Sequence, residues 1–131
     1  MEQPNYINTI LVLLTFVVFS CKTESSKEVE LIYEVGNQKI VVEIENGQNF
    51  LEYNTPTKTN FILTNIDPHT LLINGAGIRV LGTKNKTTMR TEINVPNNYL
   101  ENDTLNIKVW FNKEKKSHEF NIPLKSAEQN N

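Results

Sequence analysis

The stretch Leu105-Asn106-Ile107-Lys108-Val109-Trp110-Phe111 decides the fold class, because apolar side chains occupy every second position along it. This period of two indicates a β-strand, in which successive side chains point to opposite faces of a sheet. The face that we expect to lie in a core carries Leu105, Ile107, Val109 and Phe111. Asn106, Lys108 and Trp110 lie on the other face.

The same alternation recurs in shorter stretches on the amino-terminal and carboxy-terminal sides of this strand. Turn signals separate the stretches, among them Gly36-Asn37, Asn46-Gly47, Asp67-Pro68 and Pro96-Asn97-Asn98. About eight or nine short strands result, at the spacing that is typical of an all-β sandwich or barrel. The predicted strands besides 105–111 lie near residues 29–35, 40–45, 50–53, 60–64, 71–73, 78–81, 89–95 and 118–124. Their polar faces favour antiparallel pairing, so we predict a single antiparallel, immunoglobulin-like β-sandwich over residues 28–125.

Composition sets limits on the class of protein. The chain has 131 residues with 13 basic and 15 acidic side chains, a net charge of −2. This near balance argues against a nucleic-acid-binding protein and against electrostatic docking on anionic lipid. The single cysteine excludes an internal disulfide and a four-cysteine zinc site.

The amino terminus has the features of a targeting segment. Residues 10–19 are almost entirely apolar, but the run is shorter than the roughly 20 residues of a transmembrane helix. Its length suits the hydrophobic region of a signal peptide. The sequence Val18-Phe19-Ser20-Cys21 follows at once and resembles the lipobox of bacterial lipoproteins.

The resemblance implies that residues 1–20 are a cleaved signal peptide and that Cys21 becomes the lipidated first residue. In that family the thiol takes a diacylglyceryl group and the new amino group is acylated, for instance with palmitate. Residues 22–27 are polar, so residues 21–27 together would form the lipidated cysteine and a flexible tether. Residues 126–131 read as a disordered tail. One feature departs from the usual signal peptide: residues 1–9 contain no Lys or Arg. The alternative is that the apolar run is a core strand or helix beside a chance cysteine.

Two phrases also resemble a known family of domains. Tyr53-Asn54-Thr55-Pro56-Thr57-Lys58-Thr59-Asn60-Phe61 and Leu71-Leu72-Ile73-Asn74-Gly75-Ala76-Gly77 are similar to the periplasmic immunoglobulin-like domains of the gliding-motility and type IX secretion subunit. With the polar tether, they resemble lipoproteins of the Bacteroidota. The resemblance implies the fold alone, because this chain reads as one lipid-anchored domain rather than several domains held by a transmembrane helix.

Two side chains are candidate sites. Asp103-Thr104-Leu105 resembles the acceptor motif for O-glycans on exported Bacteroidota proteins, with Thr104 as the acceptor; the alternative is a turn that opens a strand. Trp110 lies opposite the apolar face of its strand, so it is either a binding anchor or a tryptophan covered by a loop or the second sheet.

Catalytic and metal-binding patterns are weak. His69 and His118 are the two histidines, and nothing in the sequence brings them together as metal ligands. Gly75-Ala76-Gly77 precedes a predicted strand rather than a helix, which favours a turn over a phosphate-binding loop. No Gly-x-Ser-x-Gly elbow occurs. We therefore predict no enzyme activity, no metal and no cofactor.

The expected function follows from the predicted lipoprotein signal peptide and the predicted fold. We expect a lipid-anchored protein of the cell envelope, with the outer membrane favoured, facing either the periplasm or the exterior. Its domain would bind another protein or a glycan without catalysis and without nucleic acid. The alternative is an inhibitor or immunity lipoprotein that blocks a hydrolase with a loop, for which the polar stretches 82–88 and 96–104 are the candidates.

Overall fold

The computed structural model of the protein describes residues 29–97, 99–100 and 102–126. The predicted signal peptide, residues 1–20, and the predicted tether, residues 21–27 with Cys21, lie outside the described residues. Of the predicted tail, Ser126 is described.

The described residues form nine strands and two single-turn 3₁₀ helices, at Glu45–Gly47 and Pro68–Thr70. The strands are β1 (Ile32–Val35), β2 (Gln38–Ile44), β3 (Leu51–Glu52), β4 (Thr57–Thr64), β5 (Leu72–Asn74), β6 (Ile78–Lys84), β7 (Thr88–Ile93), β8 (Thr104–Trp110) and β9 (His118–Lys125). The alternation that predicted about eight or nine short strands is thus confirmed over this part of the chain.

The strands form two sheets. Sheet 1 has the order β1-β2-β4-β7-β6 and sheet 2 has the order β3-β9-β8-β5. If β2, β4, β5, β6, β7, β8 and β9 are taken as strands A to G, the sheets contain ABED and CFG, which is the strand order of the immunoglobulin fold. The prediction of an all-β, immunoglobulin-like sandwich is confirmed.

One pair departs from the predicted antiparallel arrangement. Leu51 and Glu52 of β3 pair in parallel with Leu124 and Lys125 of β9, whereas the other strand pairs are antiparallel. The reason lies in the 3₁₀ turn after β2, where Asn46 and Gly47 both have positive φ. The sequence Asn46-Gly47 reads as a turn, but here it moves the chain to the other sheet without reversing its direction.

The inward faces of the two sheets form one core. Its fully buried members include Ile40 and Phe61 from sheet 1 and Ile107 and Phe120 from sheet 2. The rings of Phe61 and Phe120 meet edge to face at 6.3 Å between centroids, a favourable geometry for aromatic pairs. The face of β8 expected to be buried is buried, because removing this apolar surface from water drives the sheets together.

The predicted polar loop 82–88 is much shorter in the structure. Strand β6 continues through Gly82 to Lys84, and β7 begins at Thr88, so three residues, 85–87, form the turn. Gly82 has a φ of +105° beside a register shift between Val80 and Gly82. A glycine that reads as a strand breaker is therefore the site of a β-bulge within the strand.

The sandwich has two ends, which we call the base and the apex. The base contains residues 29–31, the 3₁₀ helix Glu45–Gly47 and the described residues 94–97, 99–100 and 102–103. The apex contains the 36–37 turn, the helix Pro68–Thr70 and the hairpin 111–117. Strand β8 runs from base to apex, so Thr104 and Trp110 lie about 20 Å apart at the usual rise per strand residue.

Candidate functional site

The main candidate site is a groove at the apex beside β5, with a cavity of about 520 Å³, which we call the Trp110 groove. Its apolar wall is formed by Leu72, Ile73 and Trp110, with the buried Phe111 behind them. Its polar rim includes His69, Lys113 and Glu114. The groove therefore combines apolar contact surface with ionisable groups, as binding sites commonly do.

Strand register creates the apolar wall. Leu72 of β5 stands directly opposite Trp110 of β8, and such cross-strand pairs have their side chains on the same face of the sheet. Leu72 is 66% exposed, and Trp110 is half-buried. Neither side chain belongs to the core cluster. A large aromatic and an aliphatic side chain are thus presented to solvent together.

The rim on one side is fixed by the 3₁₀ helix before β5. Asp67 caps this helix by accepting a hydrogen bond from the backbone N–H of His69 at 3.0 Å, and its Oδ1 also lies 2.9 Å from Nδ1 of His69. These bonds, the backbone one first, lower the pKa of Asp67 because they favour its charged form. The cap holds His69 at the rim of the groove.

The rim on the other side is fixed by the hairpin between β8 and β9. Nε2 of His118 lies 2.8 Å from Oε2 of Glu114, and its ring lies against Tyr33 and Phe111, at 4.0 and 5.1 Å between centroids. Burial, and then the charge of Glu114, raises the pKa of Tyr33. Sequence alone did not bring the two histidines together, yet both lie at the apex, each beside its own carboxylate.

The two rims are connected to each other. Thr70 Oγ1 donates a hydrogen bond to the backbone oxygen of Asp67 at 2.8 Å and accepts one from the backbone N–H of Asn112 at 3.2 Å. Asn112 and Lys113 both have positive φ, which turns the hairpin toward the helix. The groove is therefore bounded by two short, cross-linked segments rather than by a long loop.

Trp110 is neither fully covered nor fully exposed. A loop or second sheet does not bury it as a core tryptophan; it lines the groove instead. Sequence reasoning singled out Trp110 but not Leu72 or Lys113, because their proximity depends on the pairing of β5 with β8 and on the hairpin conformation.

Thr104 lies at the base, far from the groove. It is the first residue of β8, it is exposed, and its Oγ1 donates a hydrogen bond to the backbone oxygen of Asn102 at 3.1 Å. The neighbouring Asp103 accepts a hydrogen bond of 2.6 Å from the hydroxyl of Tyr53. This hydrogen bond, together with burial, raises the pKa of Tyr53. The acidic residue of the Asp-Thr-Leu motif thus ties two loops together, while Thr104 faces solvent.

The histidines and carboxylates of the apex form separate pairs. Within residues 29–97, 99–100 and 102–126, no cluster of three His, Cys, Asp or Glu side chains is arranged to hold a metal ion. The Gly75–Gly77 segment is a turn between β5 and β6, as its sequence predicted, with φ of +70° at Gly77.

Comparison with known proteins gives no relative from which a function could be transferred. No protein-family model, no curated protein and no solved structure matches the chain. The described part of the chain also contains no helix with the length and apolar character needed to cross a membrane.

Proposed function

We propose that this protein is a lipid-anchored component of the bacterial cell envelope and that its β-sandwich is a non-enzymatic module that binds a partner in the Trp110 groove. The anchor in this proposal is Cys21, exposed by cleavage after Ser20, and the membrane is the outer membrane. The domain faces either the periplasm or the exterior.

One observation supports the proposal above the others: the groove and the start of the domain lie at opposite ends of the sandwich. The first described residues, 29–31, lie at the base, and Trp110 lies at the apex. A protein tethered through residues 21–27 would hold its base toward the lipid and its groove away from it. Confinement to a membrane raises the local concentration of such a module near its partner.

The anchor is tested by mass and fractionation of the native protein beside Cys21→Ala. We expect a mature mass that begins at Cys21 and includes lipid, and a variant that is unlipidated. A wild-type product that is soluble and carries no lipid would contradict the anchor.

The groove is tested by placing a photo-crosslinking amino acid at position 72 in intact envelopes. We expect the crosslinker to give a discrete adduct with one partner. The adduct should disappear when the same chain also carries Trp110→Ala, because an aromatic anchor supplies much of the binding energy of an interface. The matched control places the crosslinker at Thr64, which is exposed at the apex end of sheet 1. Equal adducts at both positions, or none at position 72, would contradict binding in the groove.

A further inference from the structure

We infer, building on the proposed function, that the partner enters the Trp110 groove as an extended acidic peptide segment that adds a strand to the free edge of β5. Strand addition uses backbone hydrogen bonds for affinity and side-chain pockets for specificity. Three features of the apex support this class of partner.

The first feature is the edge itself. β5 is the last strand of sheet 2 and pairs with β8 alone, through Leu72–Trp110, Ile73–Val109 and Asn74–Lys108. Along the described residues, no strand occupies its other edge. Every second backbone N–H and C=O of an antiparallel edge strand points outward, so these groups can pair with an incoming chain.

The second feature is that this edge lacks the devices that keep other edges unpaired. Edge strand β6 carries a bulge between Val80 and Gly82, β1 carries the Glu34–Lys39 ion pair at 3.4 Å, and β3 has two residues. The sequence of β5, Leu-Ile-Asn, contains no charge and no proline, and its ladder with β8 has no register shift. Bulges, charges and short length are the usual protections of an edge, and β5 has only its short length.

The third feature is the charge of the rim. The hairpin 111–117 carries three lysines, Lys113, Lys115 and Lys116, against one carboxylate, Glu114. Among the described residues, no carboxylate forms an ion pair with Lys113, which lines the groove. A partner with acidic side chains would therefore meet a hairpin with an excess of positive charge, and such complementarity steers association.

The outer face of sheet 2 argues for a peptide rather than a glycan. Nδ2 of Asn106 donates hydrogen bonds to Glu119 at 3.1 Å and to Asn121 at 2.8 Å. These polar groups, which a sugar would need for its hydroxyls, already bind one another. Besides the rim side chains, the backbone groups along the outer edge of β5 remain for a ligand, and an apolar side chain of the added strand would contact Leu72 and Trp110.

The test uses the full-length protein in detergent and a displayed library of random short peptides as the probe. We expect the enriched peptides to alternate apolar residues with Asp or Glu. Amide hydrogen exchange at residues 72–74 should slow when an enriched peptide is bound, and methylation of the peptide backbone nitrogens should abolish binding. Lys113→Glu should weaken binding about tenfold, whereas the matched reversal Lys58→Glu, on an exposed position of sheet 1, should leave it unchanged.

The inference is overturned if the library yields no binder, if enriched peptides are cationic, if backbone methylation is tolerated, or if exchange at β5 does not change. In those cases, a Trp110-dependent adduct at position 72 in envelopes would still support the proposed function. Saturable binding of a soluble oligosaccharide that requires Trp110 would likewise retain the groove and replace the peptide by a glycan. Loss of both the adduct and the peptide binders would remove the proposed function as well.

Discussion

At the scale of single residues, two facing threonines show that the same hydroxyl group can stabilise or destabilise the folded state, depending on its hydrogen bonds. Thr59 of β4 and Thr91 of β7 are paired across sheet 1, and both are buried among apolar side chains. Thr91 Oγ1 donates a hydrogen bond to the backbone oxygen of Thr59 at 2.7 Å. Thr59 Oγ1 has no hydrogen-bond partner among the described residues, and an unsatisfied buried hydroxyl destabilises the folded state.

The two threonines therefore respond oppositely to valine, which keeps their shape. Thr59→Val should raise the free energy of unfolding by about 1 kcal/mol, because it removes an unpaired buried hydroxyl. Thr91→Val should lower it by about 1 kcal/mol, because it removes a made hydrogen bond. Urea unfolding of both variants provides the measurement, and changes of the same sign would refute the assignment of the hydroxyls.

At the scale of elements, the turns decide where each strand goes. The turn between β5 and β6 carries the chain from sheet 2 to sheet 1, and the backbone oxygen of Gly77 accepts a hydrogen bond of 3.0 Å from the N–H of Asn94. Gly77 has a φ of +70°, and a Cβ there would overlap the backbone oxygen of Asn94. Only glycine fits both the conformation and the close approach.

Gly77→Ala should therefore lower the free energy of unfolding by about 3 kcal/mol, from left-handed strain plus steric overlap. Gly47 is the matched control, because it has a φ of +67° but open space where the methyl group of an alanine would lie. Gly47→Ala should lower stability by about 1 kcal/mol, from the backbone conformation alone. Thermal or urea unfolding compares the two; similar losses would show that the contact with Asn94 is unimportant.

At the scale of the whole molecule, the sandwich separates its candidate sites along the direction of its strands. Thr104 lies at the base and Trp110 at the apex, at opposite ends of the same strand. A glycan on Thr104 would sit near the proposed membrane anchor and would leave the Trp110 groove open. At the base, the hydrogen bond between Tyr53 and Asp103 connects two loops. At the apex, the hydrogen bond between Asn112 and Thr70 connects the β8–β9 hairpin to the 3₁₀ helix.

With the proposed anchor at Cys21, this arrangement predicts how the protein is oriented on a membrane. Trp110 is the single tryptophan of the chain, so energy transfer from its fluorescence to a dansyl-labelled lipid headgroup reports the height of the apex above a vesicle. We expect weak transfer in the lipidated wild type and stronger transfer when the tryptophan is moved to the base by Trp110→Phe with Thr104→Trp. Equal transfer from the two positions would mean that the groove does not face away from the membrane.

The sequence alone was sufficient for the class of fold, the position of most strands and the face that each buries. Alternation is a local property, because side chains of a strand point to opposite faces wherever that strand pairs. The strand near 105–111, the turn at Gly36 and Asn37 and the end of a strand at Asp67 and Pro68 therefore follow from neighbours in the chain. The same local chemistry supplied the lipoprotein prediction at Cys21, which stays a prediction.

Tertiary structure decided the pairings and, through them, the candidate site. Asn46 and Gly47 change the sheet without reversing the chain, Gly82 serves a bulge inside β6, and Leu72 meets Trp110 because β5 pairs with β8. None of these follows from a period of two, which says which way a side chain points but not which strand lies beside it. Strand partners are chosen by burial of the whole core, so the groove at the apex exists only once the two sheets have formed.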